Sequence, residues 1–236
     1  MNELFNQFHN NVLQRINRYQ KLYYFGEDSI RYDFYQSALN YYNLDTTDLI
    51  LEQNIPNTQF VGNPNDRPEY DLRIDSNEYL DFGILCEFAF FRLTENNQNL
   101  PRPKLHGKLL NDIFRLSLLK HYNNAGNNPI YNNFNNYKCF MICVTDNEMI
   151  NYGQGNNVVQ IQEEYILNND FLNQLSDTCR DQIQPRFQNK VNELNLIPTA
   201  KRVFEQIVPQ NANTPLWCTW IWEVDYRYIK KGSKYR

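Results

Sequence analysis

The sequence predicts an α/β domain with a mixed central β-sheet flanked by helices. Helical periodicity fills residues 2–42. Two short, almost wholly apolar runs, Ile84-Leu85-Cys86-Glu87-Phe88-Ala89-Phe90-Phe91 and Cys139-Phe140-Met141-Ile142-Cys143-Val144, have the length and texture of central strands. A long amphipathic segment lies between them, so the order helix, strand, strand, helix, strand fits a sheet covered by helices. At 236 residues the chain suits one domain with a core of its own.

Leu4, Phe5, Phe8, Val12, Leu13 and Ile16 recur at steps of three and four, which predicts an amphipathic helix over residues 2–22. Gly26 interrupts it. Residues 27–42 form a second helix, with Ile30, Phe34, Ala38 and Tyr41 on one face. Residues 49–68 read as a loop, on their Asn-Pro and Pro-Asn signals. Residues 69–74 make a short strand and 79–92 a long one. A helix over 104–122 carries Leu105, Leu109, Ile113, Leu116 and Leu119 as its inner stripe, and 137–145 is a further buried strand. Residues 170–195 are helical in pieces broken by Pro185, 199–207 read as a short helix, and 216–228 as a terminal strand or hairpin.

Composition narrows the function. The net charge of −4 argues against a protein that coats nucleic acid without specificity. It leaves room for one with an acidic centre and local basic patches, such as the tail with Arg227, Lys230, Lys231, Lys234 and Arg236. The five cysteines are odd in number and form no CxxC pair, which points to reduced thiols in a cytoplasmic protein. No signal peptide is expected, and no apolar run approaches the roughly 20 residues that span a bilayer. Gly153-Gln154-Gly155 is a lone G-x-G without a helix start, and His9, His106 and His121 lack metal spacing. Trp217, Trp220 and Trp222 read as core, with base stacking as the alternative.

The informative chemistry lies at Asp71 and Glu87. Glu87 stands inside an apolar strand, where a charge without a partner costs several kcal/mol. A second carboxylate from the neighbouring strand makes a metal ion a natural partner, and Mg²⁺ takes one or two carboxylates with water and phosphate oxygens. The competing reading is a structural ion pair between Glu87 and Arg73 or Arg115.

Three stretches carry a family resemblance: Gly26-Glu27-Asp28-Ser29-Ile30-Arg31, Pro68-Glu69-Tyr70-Asp71-Leu72-Arg73-Ile74, and Cys86-Glu87-Phe88-Ala89-Phe90-Phe91-Arg92, followed by the helix containing Gly107-Lys108-Leu109-Leu110-Asn111-Asp112. Over about residues 20–145 the order resembles the PD-(D/E)xK, restriction-endonuclease-like nuclease superfamily. The resemblance implies a restriction-endonuclease-like core. It also implies a Mg²⁺-dependent nuclease (Mn²⁺ substituting) that cuts DNA rather than RNA, as in restriction or phage defence. Asp71 and Glu87 would hold the metal, with Glu27 as a third carboxylate. Residues 150–236 would serve recognition or dimerisation, in a homodimer or a larger defence complex.

The departure from the motif is Ala89. Residues 87 and 89 of a strand share a face, and the family places a lysine at the second. Alanine leaves open space there. Three explanations stand: a lysine replaced by design, a lysine that has migrated to Lys108 or Lys104, or a natural pseudo-nuclease that binds nucleic acid without cutting. Lys108 and Asp112 are spaced to pair on one helix face, and Arg115 follows three residues on. With Lys104, Lys230 and Lys231, Arg115 is expected to meet phosphate.

Overall fold

The computed structural model describes residues 1–20, 24–54, 69–78, 80–92, 102–124, 137–150, 161–211 and 215–229. Helix α1 (Asn2–Tyr19) and helix α2 (Glu27–Tyr42) come first. Strands β1 (Leu49–Asn54), β2 (Glu69–Ile74) and β3 (Gly83–Phe91) follow, then helix α3 (Arg102–Asn124) and strand β4 (Tyr137–Asp146). A short helix α4 (Asn147–Ile150), strand β5 (Glu164–Ile166) and helices α5 (Asn169–Gln174), α6 (Asp177–Arg180) and α7 (Pro185–Glu193) lead to the long strands β6 (Leu196–Val208) and β7 (Trp217–Tyr228).

Among the described residues the strands form one mixed seven-stranded sheet in the order β1-β2-β3-β4-β7-β6-β5. Only β3 and β4 are parallel, joined through α3; the other neighbours are antiparallel. Parallel neighbours need a crossover, and α3 is that crossover. Strand alternation then divides the core in two. Ile84, Cys86 and Phe88 of β3, with Phe140, Ile142 and Val144 of β4, face α1 and α2. Leu85, Ala89 and Phe91, with Cys139, Met141 and Cys143, face α3 and the small helices.

The expected face of α1 is buried through Leu4, Phe5, Phe8, Val12 and Ile16. His9 is buried with them. It meets the Thr219 hydroxyl at 3.0 Å and stacks on Trp217 at 4.8 Å, so α1 is fixed to β7. The three tryptophans divide between the two cores, Trp217 toward α1 and Trp220 and Trp222 toward α3. Helix α3 approaches α6 so closely that a Cβ on Gly107 would lie 2.1 Å from the Cys179 carbonyl oxygen.

Three expectations change. Part of the loop read over 49–68 is strand β1, whose Leu49 and Leu51 pair with Ile74 and Leu72. Residues 199–207 belong to β6, not to a helix. A register shift between Arg202 and Phe204 breaks the period of two, so Ala200, Phe204 and Ile207 fall at spacings that imitate a helix. Pro185 begins α7 rather than breaking a helix, since its missing N–H is unneeded in a first turn. Among the described residues no helix is long and apolar enough to cross a membrane. All five cysteines are buried and free.

Candidate functional site: a carboxylate and arginine cluster where two strands part

The β2–β3 pairing runs from Ile74↔Ile84 to Leu72↔Cys86. One step further along this register lie Asp71 and Glu87, and there the ladder gives way to side chains. The Phe88 N–H, instead of meeting a β2 carbonyl, donates to Asp71 Oδ2 at 2.7 Å. The backbone amide of Phe90 favours the charged form of the Glu27 carboxylate, which approaches it from the first turn of α2. Two carboxylates thus stand at the edge of β3 that β2 has left.

Two arginines tie the cluster together. Arg31, one turn after Glu27, places Nη2 at 2.9 Å from Glu27 Oε1 and 2.8 Å from Asp71 Oδ1, while its Nη1 reaches Glu52 of β1 at 2.9 Å. Arg115 of α3 donates through Nη2 to Glu87 Oε2 and, at 3.1 Å, to Asp112 Oδ1. Glu87 is 1% exposed, and its Oε1 is buried without a hydrogen-bond partner among the described residues.

Burial is the largest influence on the carboxyls of Glu27, Glu87 and Asp112, and it raises all three above the ordinary carboxylate range. The adjacent arginine acts the other way on each, and the Asp71 charge adds repulsion. Glu87 rises furthest, well above its usual value. Arg115 remains charged under all ordinary conditions, so the strain of the pair falls on the glutamate.

The expected residues are brought together in part. Asp71, Glu87 and Glu27 all belong to the cluster, but Glu27 bonds Arg31 and approaches β3 rather than closing on Glu87. Among the described residues no group of three or more His, Cys, Asp or Glu side chains is arranged to hold a metal ion. Arg115 lies at the centre, on Glu87. Arg73, the other expected partner of Glu87, is engaged elsewhere, with Asp75 and the Tyr137 hydroxyl. Asp112 pairs with Arg115; the exposed Lys108 bears on it only as a nearby positive charge. Lys104 is exposed on the first turn of α3. Lys230, Lys231 and the G-x-G at 153–155 lie outside the described residues. Ala89 does not border open space; it is 4% exposed and part of the apolar core under α3.

Arg31 was missed as a site residue. Its signal was present, because Glu27 and Arg31 are spaced i, i+4 on a helix that begins beside the strands. Comparison of the chain with family models, curated proteins and solved structures returns no match.

Proposed function

We propose that this chain is a nuclease-fold protein with a restriction-endonuclease-like core, in which Asp71 and Glu87 hold Mg²⁺ and the substrate is a DNA phosphodiester. The observation that carries the reading is a charge imbalance. Among the described residues six carboxylates, Glu27, Asp28, Glu52, Asp71, Glu87 and Asp112, share Arg31, Arg115 and the nearby charge of Lys108, so acids outnumber the cations around them. The residues suit a divalent ion. Glu87 Oε1 is an orphaned, buried oxygen, and a hard dication takes one or two carboxylates and completes its shell with water or phosphate. When bound, the ion supplies Lewis-acid activation of a phosphodiester. The chain's own part is to fix the carboxylates: Phe88 N–H orients Asp71, and burial under α3 orients Glu87.

The element order supports the same reading. Two helices precede three antiparallel strands, and a crossover helix then leads to a fourth strand parallel to the third. The carboxylates of Asp71 and Glu87 lie on the neighbouring strands β2 and β3, in the order that the resemblance expects. We assign β5, β6 and β7 to target recognition or dimerisation, in a restriction or defence setting, and the free buried thiols suit a reducing cytoplasm.

A second reading, a non-catalytic nucleic-acid-binding or assembly subunit on the same fold, is favoured by the burial of Ala89 and by the arginines on both carboxylates. Cleavage of plasmid DNA and single-stranded RNA with Mg²⁺ or Mn²⁺ separates the two. The chain as given and Ala89→Lys are compared, each with and without Glu87→Ala. DNA cleavage lost with Glu87→Ala supports the nuclease. Absence of cleavage by either protein leaves the binding subunit.

A further inference from the structure

The arginines of this chain bond carboxylates in two ways. Arg15 grips Asp33 as a fork, with Nε on Oδ2 at 2.7 Å and Nη2 on Oδ1 at 2.6 Å. Arg73 grips Asp75 in the same manner, with Nη2 on Oδ2 at 2.9 Å and Nε on Oδ1. The fork is the geometry in which guanidinium and carboxylate satisfy one another most fully.

Arg115 and Glu87 do not adopt it. Both contacts of Arg115 run through Nη2, shared between Glu87 and Asp112. Arg115 Nε is buried without a partner, and so is Glu87 Oε1. A fork would satisfy both orphans at once. Each is left unsatisfied, so the pair is less complete than either fork; Arg31, whose Nη2 is likewise shared by Glu27 and Asp71 and whose Nε is likewise buried without a partner, has the same open geometry. It suits two groups that each turn toward a third. Glu87 presents a free oxygen inside a cluster short of positive charge. The Arg115 side chain is 19% exposed, unlike Glu87, and therefore has a path to solvent. On the strand itself, Ala89 shares the face of Glu87 and brings no cation.

We propose that Arg115 is an exchangeable counter-ion: it neutralises Glu87 in the metal-free protein and, once a divalent cation takes over that carboxylate, turns its guanidinium to a DNA phosphate. A positive charge from the crossover helix thereby stands in for the cation that the strand lacks at Ala89. Arg115 is a phosphate-positioning residue in this scheme and carries no proton. The inference rests on the metal-site reading above.

Two binding measurements on the full chain test it. Calorimetric titration with Mn²⁺ is run on the parent, Arg115→Gln and Arg115→Lys. Anisotropy of a short labelled DNA duplex is followed against salt, with and without Mn²⁺. With its internal competitor removed, Arg115→Gln is expected to bind Mn²⁺ about tenfold more tightly than the parent, with Arg115→Lys between them. Mn²⁺ should steepen the parent's log K against log salt slope by about one unit, one added phosphate contact. Arg115→Gln should lack that increment and Arg115→Lys should keep it. Equal or weaker Mn²⁺ binding by Arg115→Gln, or an unchanged increment, overturns the exchange and leaves the metal site standing. No Mn²⁺ binding by the parent overturns both. Should Arg115→Gln fail to fold, the double variant Glu87→Gln/Asp112→Asn decides: with both carboxylates neutral it releases Arg115 without metal, so the steeper slope must appear in metal-free buffer, and its absence refutes the proposal.

Discussion

Replacing Glu87 by glutamine should make the metal-free protein more stable at neutral pH. A structural ion pair would give the opposite result. Glu87 is 1% exposed, receives one guanidinium nitrogen, and leaves its second oxygen without a partner. Removing one partner of a fully compensated buried pair costs about 3–5 kcal/mol, because a charge is stranded. Here Arg115 would not be stranded, since it keeps Asp112 and has access to solvent. The amide still leaves one buried polar group without a bond, but it removes the buried charge, so the variant should gain about 1–3 kcal/mol wherever the parent carboxyl is ionised. The pH dependence gives a second handle. The folded carboxyl titrates well above its unfolded counterpart because burial disfavours the charge. The folded state therefore binds its proton more tightly, and parent stability is lost as pH rises from the unfolded value through the folded one. Glu87→Gln should lack that loss. Urea unfolding across this range, in chelator, measures the difference. Mn²⁺ should then reverse the order, adding about 2.7 kcal/mol to the parent at one hundred times its dissociation constant and little to the variant. A Glu87→Gln protein less stable than the parent by more than about 1 kcal/mol in metal-free neutral buffer would refute the reasoning and identify Glu87–Arg115 as a structural pair.

Further outcomes follow from other contacts. Under the nuclease reading, Asp71→Asn should reduce Mn²⁺-dependent DNA cleavage about a hundredfold or more while the far-ultraviolet dichroism stays unchanged; retained cleavage would exclude Asp71 from the metal pair. Gly107→Ala should destabilise by about 1–3 kcal/mol, because its Cβ would meet the Cys179 carbonyl at 2.1 Å and push α3 from α6, and thermal unfolding reads the loss. Burial lowers His9 from 6.5 to about 4, so the unfolded chain binds its proton more readily and stability falls as pH drops through that window. The full effect is about 3 kcal/mol. His9→Gln should remove its share of the acid sensitivity in urea melts, while buried His106, also lowered to about 4, keeps a similar share.

What could be read in advance was whatever one segment carries alone. Helix α2 and strand β2 have the predicted bounds, and the burial of Glu87 follows from the apolar residues on either side of it. Strand β1 was hidden because its order comes from pairing with β2, and the Asn and Pro residues that follow spoke for a loop. Strand β6 was mistaken because its irregular register removes the alternation that marks a strand. In the site, the carboxylates were legible as charges that needed a partner. Their partners were less so. Arg31 reaches Asp71 from a helix forty residues upstream in sequence, and Arg115 could not be chosen over Arg73 until topology set one beside Glu87 and the other beside Tyr137.

The seating of α1 on β7 also bears on how the chain is made. The His9–Thr219 hydrogen bond joins residues 210 apart. At about 5–20 residues per second of synthesis, the first helix waits roughly 10–40 s for the strand it stacks upon. Through that interval Leu4, Phe5, Phe8 and Val12 lack part of their final cover. A ribosome-bound chain should therefore hold a chaperone on its N-terminal segment until Trp217 emerges, and the release of that chaperone, more than the closure of β3 on β4, would mark the moment at which the domain is complete.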